Sequence, residues 1–451
     1  MLHTSPRHLA LTLITLSVMS VLPAIGQTIN ETRKFLPHDG AEGDRFGGFV
    51  AISDTTVVVG AFRDDDNGED SGSVYLFDRT TGQQIAKLLP NDGAEFDLFG
   101  GFVAISETTV IVGVPWGYDN GIQSGSAYLF DATTGQQVAK LLPNDGVHGA
   151  GFGSSVVISG TTAVVAAMWD DENGDESGSV YLFDTTTGHQ LAKLLPDDGG
   201  WSKIFGSSVA ISGTTVVVGS VGDNNSGHRS GSAYLFDTTT GQQLAKLLPN
   251  DGEAEKYFGS SVAISGTTVV IGSVGDNDNG ENSGSAYLFD TTTGQQIAKL
   301  LPNDGAQEDH FGHSVAIYGT TAVIGAPSSY HGSGIGSAYL FDITTGQQIA
   351  KLLPSDGASG DSFGSVAISG TTVVVGAQGD DDNGFYSGSA YVFTIPCPAD
   401  LTGDGALDFF DVSAFLTAFW NQDPIADYEP DGNFNFFDVT AYLIAFGMGC
   451  P

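Results

Sequence analysis

Two acidic stretches near the C-terminus place oxygen-bearing side chains at the spacing that binds a hard cation. They run from Asp400 to Asp411 and, 27 residues later, from Asp427 to Asp438. Calcium loops take ligands from positions 1, 3, 5, 7, 9 and 12, position 7 through its carbonyl, with glycine at position 6. The predicted Ca²⁺ ligands are Asp400, Thr402, Asp404, Ala406, Asp408, Asp411, Asp427, Glu429, Asp431, Asn433, Asn435 and Asp438.

A short amphipathic helix is predicted after each loop. The helices are expected over residues 412–420 and 439–446, with core residues at helical spacing. These core residues are predicted to be Phe415, Leu416, Phe419, Tyr442, Leu443 and Phe446. A loop followed by a helix, without an entering helix, resembles a type I dockerin. That resemblance implies an attachment partner, cohesin-like or at a cell surface. Positions 10 and 11 are Phe-Phe in both loops rather than Ser-Thr, which argues against a conventional cohesin.

Two cysteines, Cys397 and Cys450, bracket this segment and are the only ones in the sequence. In an exported protein such a pair indicates a disulfide that ties the ends of the domain. A free thiol site is the alternative. The bracketing pair also resembles that of dockerin-like modules at the C-termini of planctomycete exported proteins. The segment has nine acids and no Lys or Arg, so we predict that it folds on binding calcium.

A segment of about 53 residues occurs seven times before this domain. Its repeated K-L-L-P-like run places proline at Pro37, Pro90, Pro143, Pro196, Pro249, Pro302 and Pro354. Each period predicts four short strands, designated A (FGSSVAIS), B (TTVVIGS), C (GSAYLFD) and D (QQIAKLLP), and no helix. Four antiparallel strands repeated radially make a β-propeller blade. The fold class is therefore all-β with a small α domain.

The ends of the array predict a closed ring. The A, B and C strands number seven, whereas six D strands follow a C strand. The seventh D strand is predicted at residues 32–37, before the first A strand. An N-terminal strand that completes the last blade would remove two open sheet edges. We therefore predict a closed seven-bladed propeller.

Phe-Gly at the start of strand A and Gly-Ala-Pro after strand B (Gly325, Ala326, Pro327) resemble the FG-GAP repeat. The resemblance covers residues 32–396 and implies a propeller like the head of integrin α chains and of many bacterial surface proteins. Integrin-type repeats often carry a D-x-D-x-D-G calcium loop between strands A and B. Here that turn is Ser-Gly-Thr-Thr or similar, so calcium does not transfer to it.

Variable loops are predicted on one face of the propeller, where the D-to-A and B-to-C connections lie. Variable loops on a rigid scaffold usually carry binding sites. The acidic B-to-C loops suggest possible calcium ligands in three pairs, Asp64/Asp66, Asp276/Asp278 and Asp380/Asp382, with a solvated turn as the alternative. The same face carries candidate ligand-binding residues Trp116, Trp169 and Trp201.

The N-terminus and the net charge bear on location and partners. Residues 1–26 have the pattern of a signal peptide, with an apolar run over residues 9–22. We therefore expect a secreted, cell-surface or periplasmic protein with no membrane span. The net charge of −38 argues against nucleic-acid partners.

The predicted organisation is a signal peptide (1–26), a propeller (27–396) and a dockerin-like domain (397–451). No common catalytic motif is present. The sequence is therefore interpreted as a calcium-binding scaffold or binding protein, not an enzyme, for an extracellular carbohydrate or protein ligand. The alternative is a polysaccharide-active glycoside hydrolase or lyase, or its accessory subunit, by analogy with dockerin-bearing proteins.

Overall fold

A computed structural model describes residues 27–118, 121, 123–328, 334–397, 399–402, 407–428 and 432–448. The chain divides into two compact units, with the boundary between Pro396 and Cys397. The predicted signal peptide lies outside the described residues. Within the described residues, no helix is both long and apolar enough to span a bilayer.

The first unit consists of seven antiparallel sheets, each built from strands A to D. Blades one to four, in order A to D, contain Phe46–Ile52, Thr56–Ala61, Ser73–Asp78, Gln84–Leu88; Phe102–Ser106, Thr109–Val114, Ser126–Asp131, Gln137–Leu141; Phe152–Ser159, Thr162–Ala167, Ser179–Asp184, Gln190–Leu194; and Phe205–Ser212, Thr215–Ser220, Ser232–Asp237, Gln243–Leu247. Blades five to seven contain Phe258–Ser265, Thr268–Ser273, Ser285–Asp290, Gln296–Leu300; Ser314–Tyr318, Thr321–Ala326, Ser337–Asp342, Gln347–Leu352; and Phe363–Ser369, Thr372–Ala377, Ser389–Thr394. The all-β seven-bladed propeller is confirmed.

The N-terminal strand closes the ring as predicted. Arg33–Phe35 pairs antiparallel with strand C of blade seven and acts as its D strand. Arg33 also donates to the carbonyl oxygens of Arg79 and Thr80 in blade one. Arg79 in turn donates to the carbonyl oxygen of Ser369 in blade seven, at 2.9 Å. Two arginines that occupy Ala or Thr positions in most other repeats therefore join the first and last blades.

Two features of the strands differ from the sequence prediction. Gln27–Ile29 forms an additional strand, parallel to strand D of blade six. The A strands of blades two and six begin three residues later than predicted, at Phe102 and Ser314. Phe99 and Phe311 still form an isolated parallel bridge to the preceding blade, so the repeat phase is unchanged.

The Phe-Gly pair of strand A has a packing role in every blade. Phe258, for example, packs edge-on against Tyr287 and Phe289 of strand C, with ring centroids 5.4 and 5.7 Å apart. Six of the seven blades have glycine near the end of strand B, where neighbouring blades touch through their backbones, and blade three has Ala166 there. A Cβ atom at Gly60 of strand B would lie 2.0 Å from the carbonyl oxygen of Gly100 in the next blade. The two glycines of the repeat thus permit close packing of blade on blade.

The second unit contains two helices, Phe409–Trp420 and Phe436–Met448, and a short 3₁₀ helix, Pro424–Ala426. Each helix begins three residues earlier than predicted. Asp408 caps the first helix by accepting from the Phe410 amide, and Asp411 accepts from the Asp408 amide. This reciprocal capping satisfies amides that would otherwise have no partner.

Phe415 and Tyr442 occupy equivalent positions of the two motifs and stack face to face, with ring centroids 4.0 Å apart. Tyr428 packs edge-on against both rings. The predicted core positions Leu416 and Leu443 are wrong, because both side chains are about half exposed. Each follows a buried aromatic residue by one position, and one residue turns a helix by about 100°.

Candidate functional site

A lysine lies at the centre of the acidic cluster on the loop face of blade five. The loop face is the one that carries the D-to-A and B-to-C connections. Lys299 Nζ lies 2.7 Å from Asp251, 2.8 Å from Asp276 and 2.7 Å from Asp278, each measured to Oδ2. Strand pairing sets Lys299 beside Tyr287, and the ammonium group lies 5.1 Å from the centre of the tyrosine ring. The Tyr287 hydroxyl donates to Asp251 and Asp276.

Hydrogen bonding keeps this cluster charged. Burial alone would raise the pKa of Asp276, but hydrogen bonds from Lys299 and Tyr287 outweigh it and hold the pKa below its ordinary value. Burial would likewise lower the pKa of Lys299, yet hydrogen bonds to the three aspartates raise it above its ordinary value. An ammonium ion surrounded by carboxylates is therefore a built-in counter-ion.

Clusters of the same kind occur in other blades, and each of the three predicted calcium pairs belongs to one of them. Lys87 contacts Asp64 and Asp66, and Lys34 contacts Asp380 and Asp382, at 2.7–2.9 Å. In blade three Lys193 contacts Asp170 and Glu172. The carboxylate oxygens of Asp251, Asp276 and Asp278 lie within 4.8 Å of one another, as do those of Asp356, Asp380 and Asp382. The acids converge as a metal would require, but a lysine ammonium already lies among them.

Four aromatic rings form a row, the aromatic row, from the centre of the propeller to the loop face. Phe49 and Phe102 have ring centroids 5.0 Å apart. Phe102 and Trp116 stack at 6.5 Å, and Trp116 meets Trp169 at 6.3 Å. Of the three predicted tryptophans, the structure thus brings Trp116 and Trp169 together.

Trp201 lies apart from this row. Its side chain is 72% exposed, its indole N–H donates to Asp175 at 2.8 Å, and no ring contact joins it to Trp116 or Trp169 in the described part of the chain. Phe49 and Phe102 are the residues that sequence reasoning missed. Comparing the repeats column by column finds them, since four of the other five blades have serine at this position of strand A.

The first C-terminal loop brings several predicted ligands together. The Thr402 hydroxyl donates to Asp411 Oδ1 at 2.9 Å and lies 3.3 Å from Asp400 Oδ1. Asp411 is buried, which by itself raises its pKa, but hydrogen bonds from Asp408 and Thr402 lower the pKa below its ordinary value. Asp404 and Ala406 lie outside the described residues. The oxygens of loop positions 1, 3 and 12 therefore converge.

The second loop offers a buried oxygen with no hydrogen-bond partner. Asp427 Oδ2 accepts from the Gly432 amide at 3.0 Å, whereas Asp427 Oδ1 is buried and unpartnered among the described residues. Asn435 Oδ1 and Asp438 Oδ2 cap the second helix as Asp408 and Asp411 cap the first. Glu429 and Asp431 lie outside the described residues. A cation at this loop would supply the missing partner of Asp427.

Cys397 is disulfide-bonded. The other cysteine of the sequence, Cys450, lies outside the described residues. A disulfide at Cys397 agrees with the predicted tie of the domain ends and not with a free thiol there.

A profile of the FG-GAP repeat matches the chain seven times, over residues 29–77, 83–130, 136–183, 189–236, 242–289, 295–341 and 347–393. The chain belongs to the FG-GAP repeat family. Each matched FG-GAP segment runs from the D strand of one blade through strands A, B and C of the next. A ring built from such units must be closed by an N-terminal D strand, as observed here for Arg33–Phe35. No curated protein matches the chain.

Proposed function

We propose that the protein is an exported binding protein whose loop face recognises a carbohydrate or protein ligand. An FG-GAP propeller is typically a binding and scaffold fold, and the repeat is typical of extracellular proteins. The observation that carries the proposal is the aromatic row, which gathers Trp116, Trp169 and two phenylalanines on one rigid scaffold. Aromatic rings offer a large contact area to sugar rings and to protein side chains.

The test is a binding screen with matched tryptophan variants. The full chain is screened against a panel of polysaccharides and cell-surface fractions, and the retained ligand is titrated against Trp116→Ala, Trp169→Ala and Trp201→Ala. We expect the first two variants to weaken binding about tenfold or more, because buried aromatic anchors dominate binding energy. Trp201→Ala is the control and is expected to bind normally. Equal affinity in all three variants would contradict the proposal.

The same screen bears on the enzyme alternative. Nothing in the arrangement of the aromatic row supplies an acid, a base or a nucleophile. We therefore expect retained polysaccharide to be recovered intact. Release of reducing ends or of unsaturated products by the full chain would contradict the assignment as a binding protein.

We further propose that the C-terminal unit binds two calcium ions and attaches the protein to a partner. Two observations support this proposal. The oxygens of Asp400, Thr402 and Asp411 converge, and a buried oxygen of Asp427 has no hydrogen-bond partner in the part of the chain that the structure describes. This segment contains no lysine or arginine that could neutralise its acids. Calcium would supply the positive charge around which the loops fold.

The partner of the C-terminal unit would meet a surface unlike that of cellulosomal dockerins. Positions 10 and 11 of the two loops are phenylalanines, and all four side chains are mostly exposed, namely Phe409, Phe410, Phe436 and Phe437. Exposed aromatic pairs favour an apolar protein surface over a hydroxyl-rich one. Pull-down with and without calcium, comparing the natural chain with a Phe410→Ser/Phe437→Ser variant, tests this. Calcium-independent binding, or binding unaffected by the variant, would contradict it.

A further inference from the structure

The strongest departure from repeat symmetry lies at the centre of the propeller. Blades three to six have serine at the fourth residue of the Phe-Gly motif, namely Ser155, Ser208, Ser261 and Ser314. These serines bridge to the next A strand, for example Ser208 to the carbonyl oxygen of Gly259 at 2.8 Å and Ser261 to that of Gly312 at 2.7 Å. Blades one and two have Phe49 and Phe102 instead. The fold of a blade therefore does not require an aromatic residue here.

The two phenylalanines form one wall of a central cavity. The cavity has a volume of roughly 320 Å³ and is lined by residues of all seven A strands. Phe49 is 37% exposed, although an apolar side chain in contact with water lowers stability. The neighbouring residue Gly48 leaves room for Phe62, whose ring would lie 2.7 Å from an added Cβ atom. Blades one and two thus have an apolar wall where other blades have serines that bond to the next A strand.

The rest of the lining is uncharged and places a valine beside each of four serines. It includes Ser155, Ser208, Ser261, Ser314 and His313, and no Asp, Glu, Lys or Arg lines the described cavity. Ser155 and Ser314 accept hydrogen bonds from backbone amides, which leaves their hydroxyl protons free to donate. Loss of solvation among the blades lowers the pKa of His313, and the nearby charge of His310 lowers it further. A neutral imidazole offers one donor and one acceptor.

These properties define the chemistry of the ligand. A cation would call for carboxylates in the cavity, yet no carboxylate lines it in the described part of the chain. The net charge of −38 disfavours an anion. An aromatic wall facing an uncharged wall of serines, valines and one histidine suits a neutral molecule with an apolar face and several hydroxyl groups. A neutral sugar has both, and the cavity volume lies at the lower end of the ~300–1,000 Å³ range of small-molecule sites.

We propose that the mouth of the central cavity binds the end of a neutral sugar chain. One sugar ring packs against Phe49 and Phe102, and its hydroxyl groups form hydrogen bonds with the serines of the cavity and with His313. A ring of A strands surrounds the cavity, so a chain enters by its end, while the chain beyond the cavity lies along Trp116 and Trp169. The inference rests on the proposed function and names the ligand class of the same site.

The experiment restores the repeat consensus. The full chain is titrated by calorimetry with neutral linear oligosaccharides of the cello-, xylo-, malto- and laminari-series, and with an acidic uronate series. Phe49→Ser/Phe102→Ser and His313→Ser introduce residues that other blades carry at these positions, so both variants are expected to fold. Trp201→Ala is the matched control.

We expect a neutral oligosaccharide to bind, the Phe49→Ser/Phe102→Ser variant to weaken it about tenfold or more, and Trp201→Ala to leave it unchanged. His313→Ser is expected to have a smaller effect of the same sign. At equal mass, short chains are expected to compete better than the long polymer of the same sugar, because they offer more ends.

Other outcomes separate this inference from the proposed function. Binding that is lost in Trp116→Ala and Trp169→Ala but unchanged in Phe49→Ser/Phe102→Ser overturns the cavity site and leaves the loop-face site intact. A preference for the uronate series, or for a protein ligand with no glycan bound, overturns the neutral sugar. Binding that none of these variants affects overturns both proposals.

Discussion

The acidic loops of the propeller and those of the C-terminal unit look alike in sequence but differ in how their charge is balanced. In blade five, Asp251, Asp276 and Asp278 surround the ammonium group of Lys299 at 2.7–2.8 Å. In the C-terminal unit the acids have no lysine or arginine within residues 397–451. There, Asp427 Oδ1 is buried and has no hydrogen-bond partner among the described residues.

The difference indicates that similar loops serve two purposes. The lysine clusters of the propeller contain their own cations, so the carboxylates of these clusters can be buried at all ion concentrations. We propose that the C-terminal unit instead takes its cation from solution, so that its folding responds to calcium. Acid spacing alone does not distinguish the two cases, whereas the lysine brought in by strand D does.

Removal of calcium should give the largest difference between the two units. With excess chelator, we expect the C-terminal helices to unfold while the propeller sheets stay folded, because only the latter have internal counter-ions. Circular dichroism of the full chain should lose its helical contribution and retain the β signal. Loss of both signals together, or of neither, would contradict the comparison.

Lys299→Met should convert a propeller loop into one that needs an external cation. Asp276 is buried, and Lys256, 3.7 Å away, would be its remaining ion-pair partner. The loss of Lys299 is therefore expected to cost up to about 3 kcal/mol of stability, measured by denaturant titration in chelator. Added calcium should recover part of this loss, because the three carboxylates would then be free to bind it.

Lys351→Met is the control for that experiment. Lys351 contacts Asp304, which is half exposed, and the B-to-C loop of blade six has no acid at all. The expected cost is below about 1 kcal/mol, with no effect of calcium. Equal losses in the two lysine variants would show that the acidic clusters contribute little to the stability of the propeller.

Asp44→Asn should change the stability of the propeller by a smaller amount and in the opposite direction, as a gain. Asp44 is buried on the loop face and accepts from the Ala41 amide at 2.7 Å, and no ion pair is found for it in the described structure. Burial, with a contribution from Asp64, raises the pKa of Asp44 to about 6. A raised pKa means that ionisation of Asp44 destabilises the fold above about pH 6.

We therefore expect Asp44→Asn to stabilise the propeller by about 1 kcal/mol at pH 7. The gain should shrink as the pH falls below 6 and vanish near pH 4, where the carboxyl is protonated in both the folded and the unfolded chain. Thermal unfolding across this pH range measures it. A gain that is independent of pH would contradict the assigned cause.

Local patterns predicted the fold well. The 53-residue period, the short β-branched strands and the missing seventh D strand led to a closed propeller, and Arg33–Phe35 fills the predicted place. The parallel strand Gln27–Ile29 was missed because three residues without a pattern gain their conformation from the edge of blade six. The helix starts were predicted three residues too late because residues 409–411 were assigned to the loop alone. Asp408 and Asp411 are loop residues that also cap the helix, so the last loop residues are already helical.

The site was predicted in part. The sequence singled out the acidic pairs and the tryptophans as candidates, but their contacts come from distant segments. Lys299 lies 48 residues from Asp251 and 23 from Asp276, and the pairing of strand D with strand C, which sets Lys299 beside Tyr287, brings them into contact. Phe49 and Phe102 stand in hydrophobic strands, where an aromatic residue suggests core packing. Their exposure to the cavity follows from the ring geometry.

The most direct test of this account is a calorimetric calcium titration of the full chain and two variants. One variant carries Asp400→Asn and Asp427→Asn in the C-terminal loops. The other carries Asp66→Asn, Asp278→Asn and Asp382→Asn at half-exposed positions of the propeller clusters. The account predicts about two bound ions, lost in the first variant and retained in the second. Additional ions that disappear in the second variant would show that the propeller loops bind calcium despite their lysines.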